Sequence, residues 1–347
     1  MNRVVWSAAV LTGALVGGLQ AQEIRTGEEI VVERILVDAR VTDYDFNPVT
    51  DLRPFDFEVR IDGKLATVES VQWIPETMAA RQAAGLDEVP ETLEEVEAPP
   101  GRLFVWFFQT DFARVQSRVS GQMKFLNYAD EMIEGLEPND RVAVFSFDSH
   151  LKFRLDFTDD KRALHHAIRS ALAIDDPPQP PVVPMPSLAR RLDREEMRKS
   201  TSSEHAFILV ANALRHIPGP KSMILFGWGL GELSAGRVVM SQHYSIAKHA
   251  MESARVTVFA LDMTVADYHD LELGLGKAAA DTGGFYAKTH IFPRIAVNRL
   301  QRTLSGHYEL EVRKPPTDKR GTHTIDVRVK RRGTYVLART SYVDEDE

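Results

Sequence analysis

The 347 residues suffice for a leader, one large domain and a smaller companion, and a formal charge of −8 leaves no net basic face for nucleic acid. No cysteine is present, which excludes disulfides, thiolate metal sites, cysteine nucleophiles and a lipidated N-terminal cysteine. A hydrophobic share of 44% beside 27% charged residues is ordinary for a globular chain with a packed core.

Met1-Asn2-Arg3 opens with one positive side chain, residues 4–19 are uncharged and mostly apolar, and Leu19-Gln20-Ala21 ends on a small residue. That order reads as a secretory signal over residues 1–21, too short in its apolar part for the roughly twenty residues of a membrane span. The mature chain is expected to be secreted or periplasmic, with no transmembrane span beyond the leader. Residues 25–75 then read as an N-terminal β segment, in which Asp62-Gly63 sits between two alternating runs as a hairpin turn. Residues 76–100 carry Glu91, Glu94, Glu95 and Glu97 and read as an acidic linker, with a helical stretch near 78–84.

From Arg102 the pattern becomes strands alternating with helices, which predicts an α/β domain over residues 101–304. The continuous apolar runs at 103–108 and 142–147 are strands buried on both faces of a doubly wound, mainly parallel sheet. Residues 151–157 read as an antiparallel edge strand. Helices are expected over 111–134, 161–172, 204–216, 237–254, 266–281 and 291–304, with further strands at 222–226, 256–261 and 285–287. Six prolines between Asp175 and Pro186 make residues 173–200 a long excursion, of the kind that is either functional or disordered. Residues 305–347 return to β alternation, with Arg332-Gly333 as a tight turn between the last two strands. Neither terminal β segment has the apolar residues for a core of its own, so the two are expected to pair into one small β-sandwich with the α/β domain inserted between them.

Several of these stretches carry a resemblance. The run Ile35-Leu36-Val37-Asp38-Ala39-Arg40-Val41-Thr42-Asp43, then Pro48 to Leu52 and the Asp62-Gly63-Lys64 turn, resembles the opening β segment of the bacterial VWFA-related domain family. The 103–108 and 141–147 strands, the turn Asp281-Thr282-Gly283-Gly284-Phe285-Tyr286, and the closing runs from Gly306 and Gly321 are similar to the rest of it, across nearly all of the mature length. The resemblance implies a von Willebrand A type sheet whose C-terminal edge carries a metal-ion-dependent adhesion site. There, hydroxyls and carboxylates from three loops hold a divalent cation that takes an acidic group from a partner.

This sequence departs from that pattern. Where the first loop of the family reads Asp-x-Ser-x-Ser, the residues here are Gln109-Thr110-Asp111-Phe112-Ala113. The second-loop threonine corresponds to Thr201, and the third-loop aspartate is replaced by Trp228 in Phe226-Gly227-Trp228-Gly229. With so few hard oxygen ligands left, the site reads as degenerate, holding a cation such as Mg²⁺ weakly or not at all. Gln109, Asp111, Thr201 and Trp228 are then the candidate binding residues of an exported, non-catalytic module for a protein or peptide partner. The alternative is a divalent-cation-dependent adhesion or recruiting subunit of an envelope enzyme complex. Trp228 is either an exposed anchor or packed beneath the proline-rich excursion.

Other signals point away from catalysis. Gly227-Trp228-Gly229-Leu230-Gly231 lacks the Gly-x-Gly-x-x-Gly spacing and follows a late strand, so it reads as a glycine-rich turn. His165, His166, His205, His216, His243 and His249 match no zinc-helix spacing, and neither a nucleophile elbow nor a phosphate-binding Gly-Lys-Ser/Thr loop occurs.

Overall fold

The computed structural model describes residues 33–85, 101–110, 116–173, 175–184 and 186–344. The leader, Asp111 and most of the acidic linker lie outside the described residues.

The chain begins with β1 (Arg34–Thr42), β2 (Phe57–Ile61), β3 (Lys64–Pro75) and the short α1 (Met78–Ala83). Asp62 and Gly63 both adopt positive φ, as the two-residue hairpin between β2 and β3 requires. The central half runs through β4 (Leu103–Gln109), α2 (Gln116–Glu134), β5 (Arg141–Phe147), β6 (Leu151–Thr158), α3 (Lys161–Ala171), α4 (Arg194–Arg198), α5 (Ser203–Leu214) and β7 (Lys221–Gly227). It continues with β8 (Glu232–Ser234), β9 (Arg237–Val239), α6 (Tyr244–Ser253), β10 (Val256–Asp262), α7 (Glu272–Asp281), β11 (Tyr286–Lys288) and α8 (Pro293–Thr303). The chain closes with β12 (Gly306–Arg313), β13 (Thr322–Val329), β14 (Tyr335–Ala338) and β15 (Ser341–Val343).

The central six strands lie in the order β11-β10-β7-β4-β5-β6. All neighbours are parallel except β6, which runs antiparallel at the edge, so the sheet is mixed. Every residue of β4 and β7 is buried, which is why those strands are unbroken apolar runs. Leu103, Val105 and Phe107 pack with residues of α5, α6 and α7, whereas Phe104, Trp106 and Phe108 pack with those of α2, α3 and α8. Alternate β4 side chains thus serve two cores on opposite faces, as the period of two dictates.

The terminal strands form one antiparallel sheet in the order β14-β1-β12-β3-β2-β13-β15, with a shared core that includes Val37, Val59, Tyr308 and Leu310. This differs from the expected two-layer sandwich: the seven strands hydrogen-bond as a single curled sheet. It also corrects the hairpin expected at Arg332-Gly333. β14 pairs with β1 at one edge, while β13 pairs with β2 and β15 at the other. The curl brings β14 beside β13 without pairing them, so the turn carries the chain from one edge to the other.

Two helices are shorter than their periodicity implied. The expected 237–254 helix gives its first part to the β8–β9 hairpin, where Ala235 and Gly236 both take positive φ and Ser234 pairs with Arg237. A two-residue turn of that hand matches strand twist and outcompetes a helical start. The expected 266–281 helix starts only at Glu272. The 173–200 excursion is anchored by Asp156, whose buried carboxylate accepts the Ser187 hydroxyl and the amides of Leu188 and Ala189, and Leu188 and Leu192 join the core. Among the described residues no helix is long and apolar enough to cross a membrane.

Candidate functional site

Counted along the central half, the strand order reverses between β4 and β7, and crevices in open α/β sheets form at the carboxyl ends of the strands flanking such a reversal. Gln109 is the last residue of β4, and Trp228 follows the last residue of β7. The switch point therefore brings together two of the four residues singled out from the sequence.

Gln109 is 5% exposed and its amide is fully engaged. Its Nε2 donates to Gly229 O at 2.7 Å and to Ser203 Oγ at 3.1 Å. Its Oε1 accepts the Trp228 amide at 2.9 Å and the Gly229 amide at 3.2 Å. Donors meet acceptors on both sides, so the orientation of the amide is determined by its partners. A carboxylate here would face Gly229 O with no proton between them. The residue's backbone carbonyl is also taken, by Gln122 Nε2 at 2.6 Å from α2. One side chain thus joins the end of β4, the start of α5 and the loop after β7.

The glycines of that loop serve close packing. A Cβ on Gly229 would lie 2.5 Å from Leu271 Cβ, and one on Gly227 would crowd Gln109 Oε1 at 3.1 Å. Next door, buried Glu204 accepts the Gly231 amide at 3.1 Å. The run 227–231 is accordingly held by side chains of the chain itself, in keeping with a structural turn rather than a phosphate cradle.

Trp228 is half-buried, and the Arg118 guanidinium of α2 lies over its ring at 4.0 Å, a cation–π contact. That contact ties Trp228 to α2. Its Nε1 is buried with no acceptor among the described residues. Thr201 is exposed just ahead of α5; the hydroxyl that reaches Gln109 belongs to Ser203, two residues on. Asp111 lies outside the described residues. The β8–β9 hairpin follows the same loop and exposes Leu233 and Val239.

Sequence reasoning missed Gln122 and Arg118, and it missed a second group at the neighbouring strand end. Asp262 closes β10; its Oδ2 receives His269 Nε2 at 2.8 Å and the Tyr286 hydroxyl at 2.7 Å. Burial and that carboxylate hold the Tyr286 phenol far above its ordinary range, so it stays a donor. The only signal in sequence was an aspartate at a strand's carboxyl end. The histidines weighed from spacing lie elsewhere: His165 bonds Asp130 at 2.7 Å, and His205 stacks on His243 at 4.9 Å.

No protein-family model matches the chain, and no curated protein does. Solved structures do. An aerotolerance-related membrane protein from Bacteroides fragilis is 13% identical over 58% of this chain and 98% of its own, with a TM-score of 0.41. The vWF domain of the type V pili tip protein Mfa5 from Porphyromonas gingivalis is 13% identical over 60% and 96%, at 0.37. A von Willebrand factor type A protein from Catenulispora acidiphila is 9% identical over 90% and 74%, at 0.39. The chain is similar to bacterial von Willebrand A-like proteins. The strand order and antiparallel edge strand described above are independent of those overlaps.

Proposed function

We propose that this protein is an exported, non-catalytic module that binds a protein or peptide partner through the crest formed by the loops after β4 and β7 and the start of α5, with no cation at that crest. The observation that carries this reading is Gln109. Its amide spends both donors and its acceptor oxygen on Ser203, Trp228 and Gly229, the loops that a cation would otherwise hold together. A neutral amide ringed by satisfied backbone groups offers a divalent ion neither charge nor a free lone-pair array. What remains for a partner is shape and apolar surface, namely the half-buried Trp228 with Arg118 on its face and the exposed Leu233 and Val239 of the adjoining hairpin. The leader over residues 1–21 accounts for export.

The test is cross-linked capture of partners from the source cell's envelope by the mature chain, in millimolar Mg²⁺ and in EDTA. The same partner is expected under both conditions and is expected to be lost with Trp228→Ala, whose melting curve should match wild type apart from the missing side chain. Capture that requires the divalent ion would overturn this reading and favour cation-dependent adhesion.

A further inference from the structure

The end of β10 carries a buried carboxylate that no lysine or arginine pairs with among the described residues. The Asp262 side chain is 2% exposed, and its only ion-pair partner among the described residues is His269. Its other contacts are the Thr264 amide at 2.9 Å on Oδ1 and the Tyr286 hydroxyl on Oδ2, neither of which carries charge. Burying a carboxylate is costly unless it is paired, and a bound cation is one such partner. Glu272, the first residue of α7, presents a second carboxylate to the same spot, and its oxygen, His269 Nε2 and the Asp262 oxygen all lie within 4.8 Å of one another.

We infer that Asp262, His269 and Glu272 form a binding site for a divalent cation of the Zn²⁺ class. One imidazole nitrogen with two carboxylate oxygens is a donor set for Zn²⁺ or Mn²⁺, whereas Mg²⁺ prefers oxygen alone. Metal–ligand bonds of about 2.0–2.2 Å place adjacent donors roughly 3 Å apart. The His269–Asp262 pair already stands at 2.8 Å. The group is held in place before any ion arrives. Tyr286 donates to Asp262, and the His269 amide donates to Glu272 Oε2 at 3.3 Å, the outer contacts that orient metal ligands. Lys288 Nζ lies 2.8 Å from Glu272 Oε2 and also donates to Asp267 O, so an ion taking that oxygen would displace the lysine from it.

A second trio, Asp38, His307 and Glu309, has similar composition but a different balance. There Arg255 reaches Asp38 at 2.6 Å and Glu309 at 2.7 Å, so the positive charge is built in. The β10 site differs in having no arginine on its buried carboxylate. It also has a structural consequence. Met263 donates to Gly227 O at 2.8 Å and Leu230 to Leu271 O at 3.3 Å, so an ion here would tie the 263–271 loop to the loop that carries Trp228. The site stands whether or not the crest takes a partner.

The test is calorimetric titration of ZnCl₂ into EDTA-stripped, dialysed mature chain, alongside His269→Ala and Glu272→Gln. One equivalent is expected to bind wild type. Outer contacts alone are worth 10–100-fold in affinity, so losing a ligand is expected to weaken binding by about a hundredfold or more. Apo variants melting like apo wild type would show that they fold. With 11 histidines in the chain, heat alone decides nothing: undiminished binding by His269→Ala, or no one-equivalent site on wild type, would overturn the assignment. If the variants do not fold, the His269 imidazole ¹⁵N signals of wild type report directly. Displacement by Zn²⁺ supports the site, and an unmoved Nε2 resonance overturns it.

Discussion

Replacing Gln109 with Ala probes the crest at the point where three loops meet. The substitution removes four hydrogen bonds and strands two amides, those of Trp228 and Gly229, together with the Gly229 carbonyl; the Ser203 hydroxyl can turn to another acceptor. Each buried polar group left unpaired costs about 1–3 kcal/mol. Water entering the cavity recovers part of that, so the three groups at the low end of the range give a loss of about 3 kcal/mol. Gln109→Glu separates hydrogen bonding from volume. It keeps an acceptor for the two amides but sets an ionised oxygen against Gly229 O, now 2.7 Å from Nε2, and should cost at least as much as Ala. Guanidinium melts followed by circular dichroism, at unchanged m, measure both. A loss below about 1 kcal/mol for Gln109→Ala would mean that the loops hold together without the amide. Stabilisation of Gln109→Glu by millimolar Mg²⁺ beyond that of wild type would point to a cation site one substitution away.

Two further perturbations test the frame around the crest. Gly121→Ala in α2 would set a Cβ 1.5 Å from Met263 O, a backbone atom that cannot rotate away, so a loss of about 3 kcal/mol or more is expected in the same melts; a neutral result would disprove the close approach of α2 to the 263–271 loop. At the junction of the two sheets, burial by itself would lower the His307 imidazole, but the carboxylates of Glu309 and Glu76 outweigh it and hold it at about 9. The folded chain therefore binds this proton more tightly than the unfolded chain does at its ordinary 6.5. The stabilisation, on the order of 3 kcal/mol, is complete below pH 6.5 and is lost as pH climbs through about 9. His307→Gln should flatten the fall in unfolding free energy across that window, and an unchanged slope would count against the charged imidazole.

Much of the architecture was legible along the chain because period and punctuation are local. The unbroken run of β4 marks a strand covered on both faces, Asp62-Gly63 marks the hairpin between β2 and β3, and the carboxyl ends of β4 and β7 could be located from the alternation of strands and helices. Period was less informative where a turn intervened. Ala235-Gly236 converts the start of an apparent helix into a hairpin, and positive φ at two successive residues is a property of the turn that hydrophobic spacing does not report.

At the crest, the departure of Gln109 and Trp228 from the pattern that the resemblance implies is legible residue by residue. The contacts these residues make are written only in space. Gln109 meets Ser203 and Gly229 across 94 and 120 positions of chain, and Asp262 meets Tyr286 across 24. Strand order brings these groups within hydrogen-bonding reach, and strand order is settled by how the two cores pack on the sheet. Composition and period could therefore announce the elements and the strand ends, whereas the contacts of the Gln109 amide, and the meeting of Asp262 with His269 and Tyr286, were decided by tertiary structure.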